Sequence, residues 1–246
     1  MLLDTHFHLD FLREDERAGF VESLADHGIG IIAQTLLPTD FLEQLPGPAP
    51  LALGFHPWQA TSAELIDAQL AAFTQALPHT RLIGEVGLDF SPRRLETAPT
   101  ELQLRAFRGV LSRLVGDQRV LSIHSVHSTA DVVAEIEAHS PPIVPIFHWF
   151  SGTSDELTAI RDIGGYISVN SKMLSTKKGR AYLRQFPADR ILLETDLPSH
   201  PDADADVVLE EATQQLAEVV MDLSEIKGCD MKPTILQNQR QVYPDL

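Results

Sequence analysis

The sequence contains a single cysteine, Cys229, among its 246 residues. One thiol can form neither an internal disulfide nor a CxxC metal site, so the ligands of any bound metal would have to be histidines and carboxylates. The chain also lacks the roughly eighteen consecutive apolar residues of a membrane helix, and no basic and apolar leader precedes its first polar motif. We therefore expect a soluble protein of the cytoplasm that does not contact a membrane.

Basic residues are scarce. Nineteen lysines and arginines stand against 35 acidic residues, which gives a formal net charge of −16. This balance argues against a general electrostatic attraction to nucleic acid, so a polyanionic substrate would have to be bound by a local group of cations.

Three common nucleotide and hydrolase motifs are also missing. The chain contains no GxGxxG, no GxxxxGK and no GxSxG segment. A dinucleotide-binding fold, a P-loop enzyme and an α/β-hydrolase therefore lose their main support.

Short apolar segments alternate with amphipathic helical patterns along the whole chain. Eight strands are predicted, at residues 2–6, 30–35, 51–55, 81–87, 119–124, 143–149, 166–170 and 191–196. Apolar residues recur with helical spacing at Ile66, Leu70, Phe73 and Leu77, at Leu104, Phe107, Leu111 and Leu114, and at Leu209, Ala212, Leu216, Val219 and Leu223.

Continuously apolar strands are typical of a parallel sheet covered by helices on both faces. Eight βα units in a chain of this length favour an α/β fold of the (β/α)8 TIM-barrel type, with residues 1–246 as a single domain. The alternative is an open doubly wound sheet, which would usually carry a glycine-rich loop after its first strand. A histidine pair stands there instead.

That pair, His6 and His8, lies in the segment DTHFHLD at residues 4–10. Residues i and i+2 of a strand lie on one face, so both imidazoles can bind one metal ion. The alternative is an ordinary half-buried strand in which polar and apolar residues alternate.

Further side chains that could bind a metal or a substrate lie at the ends of later strands, where a TIM barrel carries its active site. They are His56 in GFHP, Glu85 in GEVGLD, His124, His148, and Asp196 in LLETDLP. A buried, unpaired Glu85 would be costly, and a metal would remove that cost. Asp196 is nearer the loop than Glu194, so Asp196 receives the site role and Glu194 a supporting or structural one.

His6, His8, His124 and His148 with Glu85 and Asp196 are too many ligands for one tetrahedral zinc and fit two ions that share a carboxylate. Mixed nitrogen and oxygen donors suit zinc, manganese, nickel or iron, and magnesium less readily. The identity of the metal stays open.

These motifs, in this order and at these spacings, resemble the TatD family of metal-dependent deoxyribonucleases, within the amidohydrolase-type barrels. The resemblance runs from residue 4 to about 198, and more weakly to Asn238. It implies one metal at His6, His8 and Asp196, a second at His124 and His148, and Glu85 bridging them. It further implies cleavage of DNA phosphodiester bonds, at single strands or ends, by a metal-activated water whose proton Asp196 accepts.

The chain departs from the family pattern on the substrate side. Trp58 stands where the family often has a second histidine, and Val126 where an arginine usually follows the strand-5 histidine. A short acidic run at residues 201–206 replaces expected arginine and Asn-x-Pro elements. At least two phosphate contacts are therefore missing.

Basic residues nevertheless gather after two strands, which predicts a positive rim for a phosphodiester chain. They are Arg93 and Arg94 after strand 4, and Lys172, Lys177, Lys178 and Arg180 after strand 7. The predicted substrate contacts are His56, Asp89, Arg93 and Lys172.

Two other functions remain open. The net charge and the missing arginine favour an amidohydrolase-type hydrolase of a small amide, lactone or phosphate ester. The second function is that of a binding or regulatory subunit, in which the barrel has lost its catalytic activity. The complete set of six candidate ligands argues against it. Because members of the family also occur in multi-gene systems, protein partners of that kind are a further expectation.

Overall fold

The computed structural model describes residues 1–246 as eight strands, all paired in parallel, with helices between them. The strands are β1 (Leu2–Phe7), β2 (Ile29–Ala33), β3 (Leu53–Phe55), β4 (Leu82–Asp89), β5 (Arg119–Val126), β6 (Ile143–His148), β7 (Tyr166–Val169) and β8 (Ile191–Leu193). Each of the eight predicted strands is present, with boundaries that differ by up to three residues.

The α-helices lie between and after these strands. They are α1 (Arg17–Asp26), α2 (Pro38–Glu43), α3 (Ala63–Ala76), α4 (Pro92–Leu95), α5 (Thr100–Leu111), α6 (Thr129–His139), α7 (Ser154–Asp162), α8 (Ser171–Leu174), α9 (Lys177–Gln185), α10 (Ala205–Lys227) and α11 (Lys232–Val242). None of them combines the length and the hydropathy that a membrane crossing needs.

The sheet curls until its two edge strands meet. Its strand order is β2-β1-β8-β7-β6-β5-β4-β3, so β2 and β3 form the edges. An isolated parallel bridge joins Ala33 to Leu51, and the Ala52 N–H donates to the Ala33 carbonyl at 2.8 Å. The predicted α/β fold of the TIM-barrel type is confirmed.

The helices pack their apolar stripes on the barrel as predicted. In α3, Ile66, Leu70 and Phe73 are buried, and the Ser62 hydroxyl caps the helix by accepting from the Leu65 N–H. Asp204 caps α10 in the same way, so part of the acidic run at residues 201–206 begins a helix. Such a cap contributes about 1 kcal/mol.

One detail of the predicted strand 8 is wrong. β8 ends at Leu193, so Glu194 and Asp196 do not share a strand face, and Asp196 has a left-handed φ of 61°. The cause lies in Asp4, whose carboxylate accepts from the Thr195 N–H at 3.1 Å and from the Thr195 hydroxyl at 2.6 Å. These bonds turn the chain out of the ladder just before Asp196.

Besides the main hydrophobic core, a smaller apolar cluster lies at the end of the barrel where the strands begin. Val242 and Tyr243 are buried there among Leu3, Val120 and Leu192. α11 is tied beneath the strands because the Gln239 side chain donates to the Leu3 carbonyl at 2.9 Å. The last helix therefore covers this end of the barrel.

Burial of Tyr243 predicts a loss of stability at alkaline pH. Burial raises the pKa of its hydroxyl above the ordinary value of 10.0, so the folded chain keeps a proton that the unfolded chain releases. Above pH 10, the free energy of unfolding should therefore fall by about 1.4 kcal/mol per pH unit because of this group. Urea unfolding of the parent and Tyr243→Phe at pH values from about 9 to 11 isolates the effect. Parallel pH profiles would show that Tyr243 is not responsible.

Candidate metal centre

The predicted ligands meet at the carboxyl end of the barrel. A cavity of about 500 Å³ opens there. Its walls include five of them, His8, Glu85, His124, His148 and Asp196. His6 lies beneath them and is fully buried. Strand ends of one barrel thus bring together six side chains that lie between residues 6 and 196 of the sequence.

The Glu85 carboxylate lies at the centre and divides the histidines into two groups. Its Oε1 is 2.6 Å from His124 Nδ1 and 2.9 Å from His148 Nε2. Its Oε2 is 3.4 Å from His6 Nε2 and 3.8 Å from His8 Nε2. A carboxylate with one oxygen toward each group has the arrangement of a bridging ligand between two ions.

Asp196 completes the group on the Oε2 side. Its Oδ1 is 3.3 Å from His8 Nε2 and 3.8 Å from His6 Nε2. The chain is fixed at this point because the Asp196 N–H donates to the His6 carbonyl at 3.1 Å. Burial acts to raise the pKa of Asp196, but His8 and His6 outweigh it and lower the pKa below 3.8, so the carboxylate is ionised at neutral pH.

Asp89 sets the protonation of His124. Its Oδ2 accepts from Trp58 Nε1 at 2.7 Å and lies 3.1 Å from His124 Nε2. Burial acts to raise the pKa of Asp89, but hydrogen bonds from His124, Ser91 and Trp58 hold it well below 3.8. An ionised carboxylate only accepts, so a hydrogen of His124 lies on Nε2, and its Nδ1 faces Glu85. Burial acts to lower the pKa of His124, but Glu85 and Asp89 outweigh it and raise the pKa above 6.5, so Nδ1 readily takes a second hydrogen when no metal is bound.

The donor set fits divalent metal ions. A lone pair on His124 Nδ1 and an ionised Glu85 oxygen repel each other at 2.6 Å unless a proton or a cation lies between them. His6 Nε2 is buried without a hydrogen-bond partner, although it faces Glu85 and Asp196. Buried polar atoms are normally satisfied, and an ion would satisfy this one. Three overlapping groups of potential donors lie here, namely His6, His148 and Asp196; His6, His8 and Glu85; and His56, Glu85 and His124.

His56 differs from the other histidines in its protonation. Its Nδ1 accepts from the backbone N–H of Trp58 at 3.2 Å, so the ring hydrogen lies on Nε2. This Nε2 is 3.3 Å from Glu85 Oε1. Burial lowers the pKa of His56 to about 4, so the ring is neutral at pH 7. In this tautomer His56 donates a hydrogen bond rather than binding a metal.

Two further side chains lie beside ligands: Ser122, which the sequence interpretation had not assigned, and Glu194, to which it gave a supporting or structural role. The Ser122 hydroxyl lies 2.8 Å from His6 Nδ1. Glu194, fully buried, lies 3.7 Å from His148 Nδ1 and accepts from Asn170 at 2.8 Å and from Ser168. Ser122 occupies the position two residues before His124, so alternation along β5 was a usable indication that it faces the barrel interior.

The predicted basic rim is only partly at the cavity. Lys172 lines it, with Nζ 4.4 Å from the centre of the Trp149 ring. Arg94 lies over the Trp58 ring, with Cζ 3.3 Å from its centre. Neither Arg94 nor Arg93 lines the cavity itself, and Arg93 is exposed.

The remaining cations of the predicted rim have other contacts or face solvent. Arg180 pairs with Asp222 at 3.4 Å and with Glu225 at 3.2 Å. Lys178 donates to the Ser151 carbonyl at 2.9 Å. Lys177 is exposed at the first position of α9. Cations at the mouth itself are therefore few.

Comparison with known proteins identifies relatives of this chain. A deoxyribonuclease Tat-D of Schizosaccharomyces pombe is 35% identical over 117 residues, which cover 47% of this chain and 37% of the relative. A 3'-5' ssDNA/RNA exonuclease TatD of Edwardsiella piscicida is 31% identical over 147 residues, which cover 58% of this chain and 54% of the relative. The matched segments thus span about half, or less, of these relatives.

A solved structure supports the fold over the full length. The TatD homologue YJJV of Escherichia coli superposes with a TM-score of 0.80 and 22% identity, covering 100% of this chain and 98% of that one. The family model described as "TatD related DNase" matches residues 3–244. The chain belongs to the TatD-related DNase family.

Proposed function

We propose that this chain is a metal-dependent phosphodiesterase that hydrolyses DNA, at single strands or strand ends. The observation that carries the proposal is the Glu85 carboxylate, which turns one oxygen to His6 and His8 and the other to His124 and His148. The names of the fission yeast and Edwardsiella relatives, a deoxyribonuclease and an exonuclease on single-stranded DNA and RNA, support the choice of substrate.

Two divalent ions are part of the proposal. His6, His8 and Asp196 would hold the first, His124 and His148 the second, and Glu85 both. Zinc, manganese and nickel suit these nitrogen and oxygen donors better than magnesium does. When bound, such ions supply Lewis acidity, which lowers the pKa of water and neutralises charge that develops on phosphoryl oxygens.

Asp196 has the position of a general base. Its side chain is 17% exposed and lines the cavity, and its carboxylate is ionised at neutral pH. It would accept the proton of the water that attacks phosphorus. Glu85 contributes to catalysis by fixing the spacing of the two groups of ligands.

Substrate contacts follow from which groups can donate into the cavity. The ammonium of Lys172 suits phosphate oxygens, and His56, which also lines the cavity, would share its Nε2 hydrogen between Glu85 and a phosphate oxygen. Asp89 acts indirectly, because it holds His124. On the side after β4 we propose Arg94 rather than Arg93 as the cation near the substrate, because Arg94 lies over Trp58 at the mouth.

A cleavage assay tests the proposal. Metal-loaded protein should shorten a single-stranded oligonucleotide and hydrolyse bis(p-nitrophenyl) phosphate, and both activities should stop after treatment with a chelator and return with metal. Metal-loaded protein that cleaves neither substrate would contradict the proposal.

One observation favours a second candidate, a hydrolase of small amides, lactones or phosphate esters. Val126 lines the cavity at the position where the resemblance leads us to expect an arginine, so one phosphate contact is replaced by an apolar side chain. Turnover of such small substrates without cleavage of oligonucleotides would favour this candidate.

We further propose that residues 1–246 act as one domain in the cytoplasm. All eight strands share one sheet, and the apolar cluster at the base of the barrel joins both ends of the chain.

A further inference from the structure

Both tryptophans of the chain, Trp58 and Trp149, lie at the mouth of the same cavity. Trp58 is 37% exposed, and each ring has a cation on one face. Arg94 Cζ is 3.3 Å from the centre of the Trp58 ring, and Lys172 Nζ is 4.4 Å from that of Trp149. We call these the Trp58–Arg94 pair and the Trp149–Lys172 pair.

The backbone at Trp149 is strained. Its φ of 40° lies in the left-handed region, which bulky side chains rarely adopt, and such a conformation costs about 1 to 3 kcal/mol. Trp149 directly follows the candidate ligand His148 at the end of β6. Strained residues persist where the surrounding structure and a function require them, which marks Trp149 as more than a packing residue.

Holding the candidate metal ligands in place explains only part of the contacts that the two tryptophans make. The Trp58 indole N–H donates to Asp89, which accounts for one edge of that ring. It does not account for the guanidinium of Arg94 over the ring face, and Trp149 makes no such hydrogen bond. The two pairs have in common an aromatic surface beside a cation, on a chain whose net charge is −16.

A nucleotide has the complementary features, a flat base next to an anionic phosphate. We propose, resting on the function proposed above, that the two pairs bind nucleotides of a single strand on either side of the metal centre. The rings stack on bases, while Lys172 and Arg94 contact phosphates. Stacking needs an unpaired base whose face is free, so the pairs select single strands over duplexes, without preference for sequence.

An abasic strand separates stacking from charge. Binding is measured on metal-loaded protein with a phosphorothioate strand of about six thymidines and with an abasic strand that carries the same linkages. Each stacked base contributes about tenfold in affinity, so the parent should prefer the strand with bases by about a hundredfold. Equal binding of the two strands would overturn the proposal.

Variants assign the preference to residues. Trp149→Ala should reduce the preference to about tenfold, and Trp149→Phe, which retains a ring, should keep it within about threefold of the parent. Lys172→Ala should weaken both strands alike and lower the salt dependence by about one charge. Arg161→Ala removes the same charge from the exposed end of α7 and should change neither. A full preference in Trp149→Ala would contradict the assignment.

Fluorescence provides a readout in which Trp149 keeps its full side chain. In Trp58→Phe, Trp149 is the only tryptophan, and stacking should quench its emission with the thymidine strand but not with the abasic strand. Unchanged emission at saturation would also overturn the proposal. Hydrolysis of bis(p-nitrophenyl) phosphate, which has no nucleobase, tests the proposed function separately, so the two proposals fail in different measurements.

Discussion

Glu85→Gln should lower the turnover of oligonucleotide and bis(p-nitrophenyl) phosphate by about a thousandfold, because in the proposed centre the Glu85 carboxylate would support two ions that would supply several kcal/mol of transition-state stabilisation. The amide has one oxygen, so it cannot direct one ligand oxygen toward the side of His124 and His148 and another toward the side of His6 and His8. The side chain keeps its size, so we expect the barrel to fold. Turnover is measured at saturating metal, with circular dichroism to check the fold.

The matched control is Glu101→Gln, which makes the same chemical change on the exposed first turn of α5. Its turnover should equal that of the parent. If Glu85→Gln retained turnover within about threefold of the parent while Glu101→Gln did the same, Glu85 would not bridge the catalytic ions.

Gly87→Ala should destabilise the protein by several kcal/mol and displace His124. Gly87 has a φ of 140°, and a Cβ added there would lie 2.0 Å from the carbonyl oxygen of His124, its neighbour in the β4–β5 ladder. A backbone atom cannot rotate away as a side chain can. The loss therefore combines conformational strain with a shift of β5 at a candidate ligand.

Gly19→Ala provides the control, because nothing lies within 4 Å of the Cβ that it would add in α1. An exposed helical glycine replaced by alanine should gain about 0.5 to 1 kcal/mol. Thermal unfolding of both variants checks the contrast. A Gly87→Ala protein as stable as Gly19→Ala would show that the two strands approach less closely than described.

The barrel could be predicted from the sequence because continuous apolar runs such as residues 143–149 indicate strands buried on both faces. The exact ends could not, because tertiary hydrogen bonds set them. β8 stops at Leu193 because the carboxylate of Asp4, far away in sequence, bonds Thr195. Hydrophobic periodicity contains no information about such a contact.

The gathering of candidate ligands at one barrel end could also be anticipated, since the carboxyl ends of parallel strands share one face. The roles of individual side chains could be assigned only from the three-dimensional structure. The sequence gives no indication that the backbone N–H of Trp58 sets the tautomer of His56, or that Arg94 rather than Arg93 lies over the Trp58 ring. Side-chain direction in loops after strands depends on local backbone angles, which no periodic pattern specifies.

The metal content of the protein tests the two-ion centre most directly. Elemental analysis after loading with manganese or zinc and removal of free ions should find about two ions per chain in the parent. Glu85→Ala and Asp196→Ala should each lose at least one of them. A parent that binds no divalent ion, or one that keeps its full complement without Glu85, would contradict the bridged centre on which the proposed hydrolysis depends.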